Sequence, residues 1–280
     1  MGLFSVILIG CFASPLYALA KFALHSALYS HILLVPFISL YLVWIKRADL
    51  PRDSRRSFGA AAFLLIGGLS VLAGYWSAAH QGWKPATADY LAAMMLSFLF
   101  MLAAGAFALL GTATMRAITF PAVFLVFAVP FPDVLRQGIE SLLQHGSAEA
   151  AFGLFRLSGM PVFQQGTAFQ LPGFSMEVAP ECSGIHSSLV LFITSLLAGH
   201  LLLRAGWSRA LLVLAVIPLA VLRNGFRIFT LGQLCVRLNP NWINSDLHHR
   251  GGPVFFAVFL VPFFLLLWLL RRLEQRRTKI

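Results

Sequence analysis

The chain has 280 residues, of which 59% are hydrophobic and 11% charged, with a mean hydropathy of +0.82. A soluble domain carries about 25% charged residues, so composition excludes an ordinary soluble protein and puts this chain in the membrane class. The formal net charge of +11 does not point to nucleic acid, because the basic residues cluster at the ends of apolar runs, in residues 46–56, 204–209 and 271–279. That is how orientation across a membrane is written.

In chain order, apolar segments fall at about 3–22, 30–45, 58–78, 90–111, 117–130, 183–203, 210–236 and 252–270. The reading is an all-α integral membrane protein of about eight transmembrane helices, one polytopic membrane domain over residues 1–280. No basic region precedes the first run and no small-residue cleavage site follows it, so 3–22 reads as a retained first span and not as a signal peptide. With the three basic clusters inside, and Met115-Arg116 at an inside turn, both termini are expected in the cytoplasm. The outside segments are then about 23–29, 79–89, 131–182 and 237–251.

The third outside segment is a long extracytoplasmic insert, and it has two halves. From Asp133 to Leu157, residues Val134, Ile139, Leu142, Leu143, Ala150, Phe152, Leu154 and Phe155 are spaced broadly as on an amphipathic helix, although Gly138, Gly146 and Gly153 weaken it. Such a helix would lie along the outer interface. Over 161–178, apolar residues from Val162 to Val178 alternate with polar ones around Gly166 and Pro172-Gly173, which predicts one or two short strands, a β-hairpin-like cap ending at Cys182.

Three polar features fall toward one side. The first is Glu181-Cys182-Ser183-Gly184-Ile185, where the sixth span begins. A thiol at a helix N-terminus meets the positive end of the macrodipole and unpaired N–H groups, which favour a nucleophilic thiolate and can hold an oxyanion. The other reading makes Cys182 a small residue in a helix cap. Cys11 and Cys235 lie in apolar helical sequence, where a cysteine behaves as a small hydrophobe. The odd count of three argues against a disulfide framework, and no Cys/His spacing calls for a metal or any other cofactor.

The second feature is Arg223-Asn224-Gly225-Phe226-Arg227 in the seventh run. Each arginine costs at least about 2.5–3.5 kcal/mol at the midplane, and the two, four residues apart, share a helix face. Either they serve a cavity or a partner, or the span ends near Val221 and they sit at its edge. The third feature is Asp246-Leu247-His248-His249 before the last span. A neutral imidazole near a thiol can take its proton, with Glu181 or Asp246 to orient it. An interfacial histidine can also be an ordinary polar residue.

These motifs together resemble the exosortase/archaeosortase family of membrane cysteine transpeptidases and proteases. The resemblance rests on Glu181-Cys182-Ser183-Gly184-Ile185, on Asn224 with Arg227, and on His248 four residues before Gly252. Tyr29-Ser30-His31 with Leu34-Val35-Pro36, Phe131-Pro132 and Gly159-Met160-Pro161-Val162 add to it, so that it runs from about residue 29 to 260. It implies Cys182 as nucleophile, Arg227 as the group that stabilises developing charge and His248 as acid/base, with Glu181, Ser183, Gly184, His186, Arg223, Asn224 and His249 in support.

The resemblance also implies a reaction. A thioester would form as C-terminal sorting signals (a short motif, an apolar helix and a basic tail, of which PEP-CTERM signals are the best known) are removed from exported proteins at the outer face of the cytoplasmic membrane. Partners would be those membrane-anchored substrates and the bilayer. His186 stands where the family often has Arg or Asn, and the pair His248-His249 leaves the acid/base open by one position. A transporter or channel is the rival from another class, against which no inverted repeat or pair of broken spans is visible. A non-catalytic scaffold for envelope or polysaccharide assembly is a third. Neither the signal motif, the acceptor nor the oligomeric state is written in the sequence.

Overall fold

A backbone in a bilayer has no water to bond to and must satisfy itself, which long apolar runs do as helices. The computed structural model describes residues 2–51, 55–245 and 251–277 and is mainly helical. Among the described residues five helices are long and apolar enough to cross a membrane, or up to seven if each of two bent helix pairs counts as one span. The eight straight spans expected from hydropathy are therefore not all present as such. The first run breaks into α1 (Gly2–Cys11) and α2 (Ala13–His25), bent by 74°. The run at 30–45 forms a 3-10 turn (Ser30–Leu33) and α3 (Val35–Ile45), short of the ~20 residues that span a bilayer.

The chain divides into two compact units, Met1–Arg136 and Gln137–Ile280. In the first, α4 (Phe58–His80) and α5 (Thr87–Ala117) pair side by side and are followed by α6 (Thr119–Phe124). Ser57 caps α4 by accepting from Ala60 N, and Ser97 Oγ donates to Gly68 O at 2.8 Å between the pair. Such hydroxyl-to-carbonyl bonds join apolar helices that have no hydrophobic drive to associate in lipid. Of α4 only Ala61 and Gly68 are buried and more than half of its residues are exposed, as for a helix with one side solvated by lipid.

The second unit holds most of α7 (Asp133–Leu157), a small sheet, α8 (Ile185–Leu202), α9 (Gly206–Arg237) and α10 (Gly252–Arg277). Helix α7 is continuous through its three glycines, because tertiary packing outweighs the propensity cost. Ala148, Ala151 and Phe155 on one face are fully buried. Helix α9 runs 32 residues and does not end near Val221, so Arg223 and Arg227 lie inside the helix. Gly225 lets α7 approach it, since a Cβ there would lie 2.6 Å from Ala150 Cβ.

The sheet has three strands, not the one or two expected: β1 (Phe163–Gln165), β2 (Ala168–Leu171) and β3 (Phe174–Glu177), antiparallel in that spatial order. Phe163 faces Gln170 in the first pair, and Phe169 faces Met176 in the second. Pro172-Gly173 closes the second hairpin, with Gly173 at φ 71°. Phe169, Leu171 and Val178 pack on Ala148, Ala151, Phe155 and Ile228, and this cluster carries the chain to Cys182.

Candidate active site

After β3 the chain leaves the sheet through Val178, whose carbonyl accepts from the Gln144 side chain of α7. Pro180–Cys182 then forms one 3-10 turn, and α8 begins three residues beyond the cysteine. Gly184 makes the corner at φ 74°, ψ 18°, left-handed backbone that a side chain resists. A Cβ there would also fall 2.7 Å from Arg223 Nη2. Gly184 is thus fixed both by its own backbone and by the arginine against it.

Two neighbours on α9 hold this turn. Asn224 Nδ2 donates to Cys182 O at 2.7 Å, and Arg223 Nη2 donates to Gly184 O at 3.2 Å and Ser188 Oγ at 3.4 Å. Arg223 and Asn224 are 3% and 2% exposed, so these bonds form away from solvent, where a lost partner costs most. Arg223 Nη1 is buried and finds no partner among the described residues. A buried guanidinium in a spanning helix is expensive. This one is spent on the backbone of the cysteine turn.

The expectation that N–H groups beside Cys182 are unpaired needs correction. Cys182 N donates to Ala179 O at 2.9 Å and Ser183 N to Pro180 O at 3.0 Å, because the 3-10 turn consumes both. The cysteine also precedes the helix proper, which moves it away from the macrodipole, an effect confined to about the first turn. Helix α8 has no side-chain cap, and Ser187 and Ser188 hydroxyls both donate to Gly184 O. The N–H groups of residues 184–187 at the start of α8 have no acceptor among the described residues, and a second element also brings positive charge to the thiol.

That element is again α9. A cavity of about 290 Å³ is lined by Cys182, Asn224 and Arg227, with Ile228, Leu231 and Ile243 as its apolar wall. The whole of β3, together with Val178 and Ala179, closes its other side. Of the residues read from sequence, Cys182, Asn224 and Arg227 therefore meet in one cavity. Arg223 and Gly184 shape the turn behind it. Ser183 is buried with its hydroxyl unpartnered among the described residues, His186 is exposed, and Glu181 contributes main chain to the 3-10 turn. Asp246, His248 and His249 lie outside the described residues.

Sequence reasoning missed the strand wall and the Gln144 clasp. The alternation over 161–178 signalled strands but not which strand would lie beside the thiol. A larger cavity, about 900 Å³, lies at the far end of α8, where Arg204, Arg209, Arg271, Arg272 and Arg276 surround one carboxylate, Glu274. Its described lining includes His200 but no cysteine, serine or threonine.

A family model described as transmembrane exosortase matches residues 23–265 of the chain. No curated protein and no solved structure matches it.

Proposed function

The chain belongs to the transmembrane exosortase family, and from that premise we propose that it is a cysteine peptidase or transpeptidase whose nucleophile is Cys182. The family is one of membrane-embedded sorting transpeptidases and proteases, and this member is a multi-pass membrane protein. The family match runs across both compact units, which supports one polytopic domain acting as a whole. In the proposed orientation both termini and the arginine-lined cavity are cytoplasmic, so that the chain crosses the cytoplasmic membrane an even number of times, and Cys182 works at the outer face.

The substrate is a membrane-anchored protein with a C-terminal sorting tail of short motif, apolar helix and basic cluster. The Cys182 thiolate adds to the carbonyl carbon of a peptide bond before the apolar helix, and the negative charge moves to the carbonyl oxygen. Arg227 meets that charge; a preorganised donor of this kind contributes about 10²–10³ in rate. Collapse breaks the C–N bond, and the leaving amine takes a proton from the imidazolium of His248, or of its neighbour His249. The thioester is then cleaved by water or an acceptor amine, whose proton returns to the imidazole as the Cys182 thiolate leaves, restoring the starting thiolate and imidazolium. Asn224 and Arg223 act as positioning residues through the Cys182 and Gly184 carbonyls.

The observation that carries this reading is the single cavity shared by Cys182, Asn224 and Arg227. The test is Cys182→Ala in the host, with a tagged substrate bearing the sorting tail. Tail removal should stop; unchanged removal would sink the peptidase reading.

A further inference from the structure

The cavity at Cys182 has an unusual wall. All six residues from Phe174 to Ala179 line it. Successive side chains of a strand point to opposite faces, so a cavity touching every residue runs along the strand's edge. Strand β3 is an edge strand, since the sheet order is β1-β2-β3.

The register tells which main-chain groups that edge offers. Leu171 faces Phe174 across the two-residue turn Pro172-Gly173, the position where a hairpin's pair exchanges hydrogen bonds. Val178 N donates to Thr167 O at 3.0 Å, which keeps the same phase. Phe174 and Met176 therefore direct their N–H and C=O groups to the β2 side, as does the N–H of Val178, while the Val178 carbonyl accepts from Gln144 of α7. Those of Ser175 and Glu177 point away from the sheet, toward the cavity edge, and no hydrogen bond to them occurs among the described residues. An open edge is a template for another chain, and strand addition is a recurrent way of binding extended peptides.

Main-chain chemistry selects the occupant. A helix has bonded its N–H and C=O groups internally, whereas an extended segment keeps them free to pair with those of Ser175 and Glu177 along the cavity.

We infer that the free edge of β3 receives an extended segment of the substrate polypeptide as a fourth strand, bonded main chain to main chain at Ser175 and Glu177, which carries its scissile bond to Cys182. This rests on the peptidase reading above. It adds that the sorting signal is unwound where it is cut, and that the edge reads backbone while Phe174, Met176 and the apolar wall of α9 take alternate side chains.

Proline tests it, because an outward-facing position on an edge strand tolerates the loss of an N–H while a ladder position does not. Ser175→Pro and Glu177→Pro should each keep the melting temperature of the purified protein. Each should slow removal of the tail from a tagged substrate about tenfold at low substrate, the worth of one main-chain bond. Gln164→Pro, at the outward position of β1 on the sheet's other edge, should process as wild type. Cys182→Ala is run beside them. If it is inactive while both edge prolines process normally, strand addition is overturned and the peptidase reading stands. If Cys182→Ala processes normally, the peptidase reading itself falls. Should either proline variant unfold, the wild-type enzyme is tested with synthetic peptides copying the stretch before the substrate's apolar helix, N-methylated one position at a time. Cleavage lost at every second position supports the fourth strand, and a flat response overturns it.

Discussion

The two ends of the α8–α9 pair both gather arginines, yet they are built differently. At one end five arginines line a cavity of about 900 Å³ with a single carboxylate among the described residues, and Glu274 is occupied in accepting from Arg204 N and Ala205 N at 2.9 Å each. These arginines are largely at the surface: Arg272 lies over the Trp268 ring at 4.0 Å, and Arg209 donates to Leu203 O. Toward the other end Arg223 and Arg227 lie inside a long apolar helix, one of them 3% exposed and bonded to the turn that carries a cysteine. Arginine number follows membrane orientation. Arginine burial beside the proposed nucleophile is what the proposed chemistry asks for.

The sharpest way to break that contrast is Arg227→Lys. Lysine keeps the positive charge but loses the planar fork. If Arg227 meets a developing oxyanion, tail removal should fall by about 10²–10³, read as the rate of conversion of a tagged substrate at equal enzyme level. A rate within twofold of wild type would remove Arg227 from the mechanism and make the two ends alike.

The next effect is on stability. Gly184→Ala puts a side chain on left-handed backbone, worth about 1–2 kcal/mol, and sets its Cβ 2.7 Å from Arg223 Nη2. The total should reach about 2–3 kcal/mol, seen as a lowered unfolding midpoint of the purified protein. Gly138→Ala is the comparison: it lies within α7 with nothing inside 4 Å of an added Cβ. It should be neutral or stabilise by up to about 1 kcal/mol. Equal losses at both glycines would mean that the Gly184 corner is not under the constraint its geometry implies.

Much of this contrast was legible in the sequence. Hydropathy found the runs that became α4, α5, α8, α9 and α10, because length and apolarity decide those helices locally. It overcounted where a run was long enough but the backbone breaks, as between α1 and α2, since a bend is set by packing that no local window contains. Cys182, Asn224 and Arg227 could be singled out because polar residues in apolar sequence need a reason. That Asn224 holds the cysteine carbonyl, that the 3-10 turn takes the N–H groups of Cys182 and Ser183, and that β3 forms a wall all depend on contacts between distant residues. Gln144 to Val178 is an extreme case: a glutamine on an amphipathic helix carries no sign of its partner 34 residues on.

The smallest expected effect belongs to the crowded end, and it is the one that keeps the contrast honest. Arg271 is exposed, in the last turns of α10, and lines the larger cavity among four other arginines. Arg271→Gln removes one charge of several facing solvent, so stability should change by no more than about 0.5 kcal/mol. Orientation should hold, because the remaining basic residues of the tail and of 204–209 still bias it. Processing should stay within twofold of wild type. The measurement is the same tagged-substrate rate used for Arg227→Lys, with a reporter fused to the C-terminus to check its side of the membrane. A loss as large as that at Arg227, with orientation intact, would mean the two ends of α8 and α9 are coupled during turnover and that arginine burial does not separate chemistry from topology here.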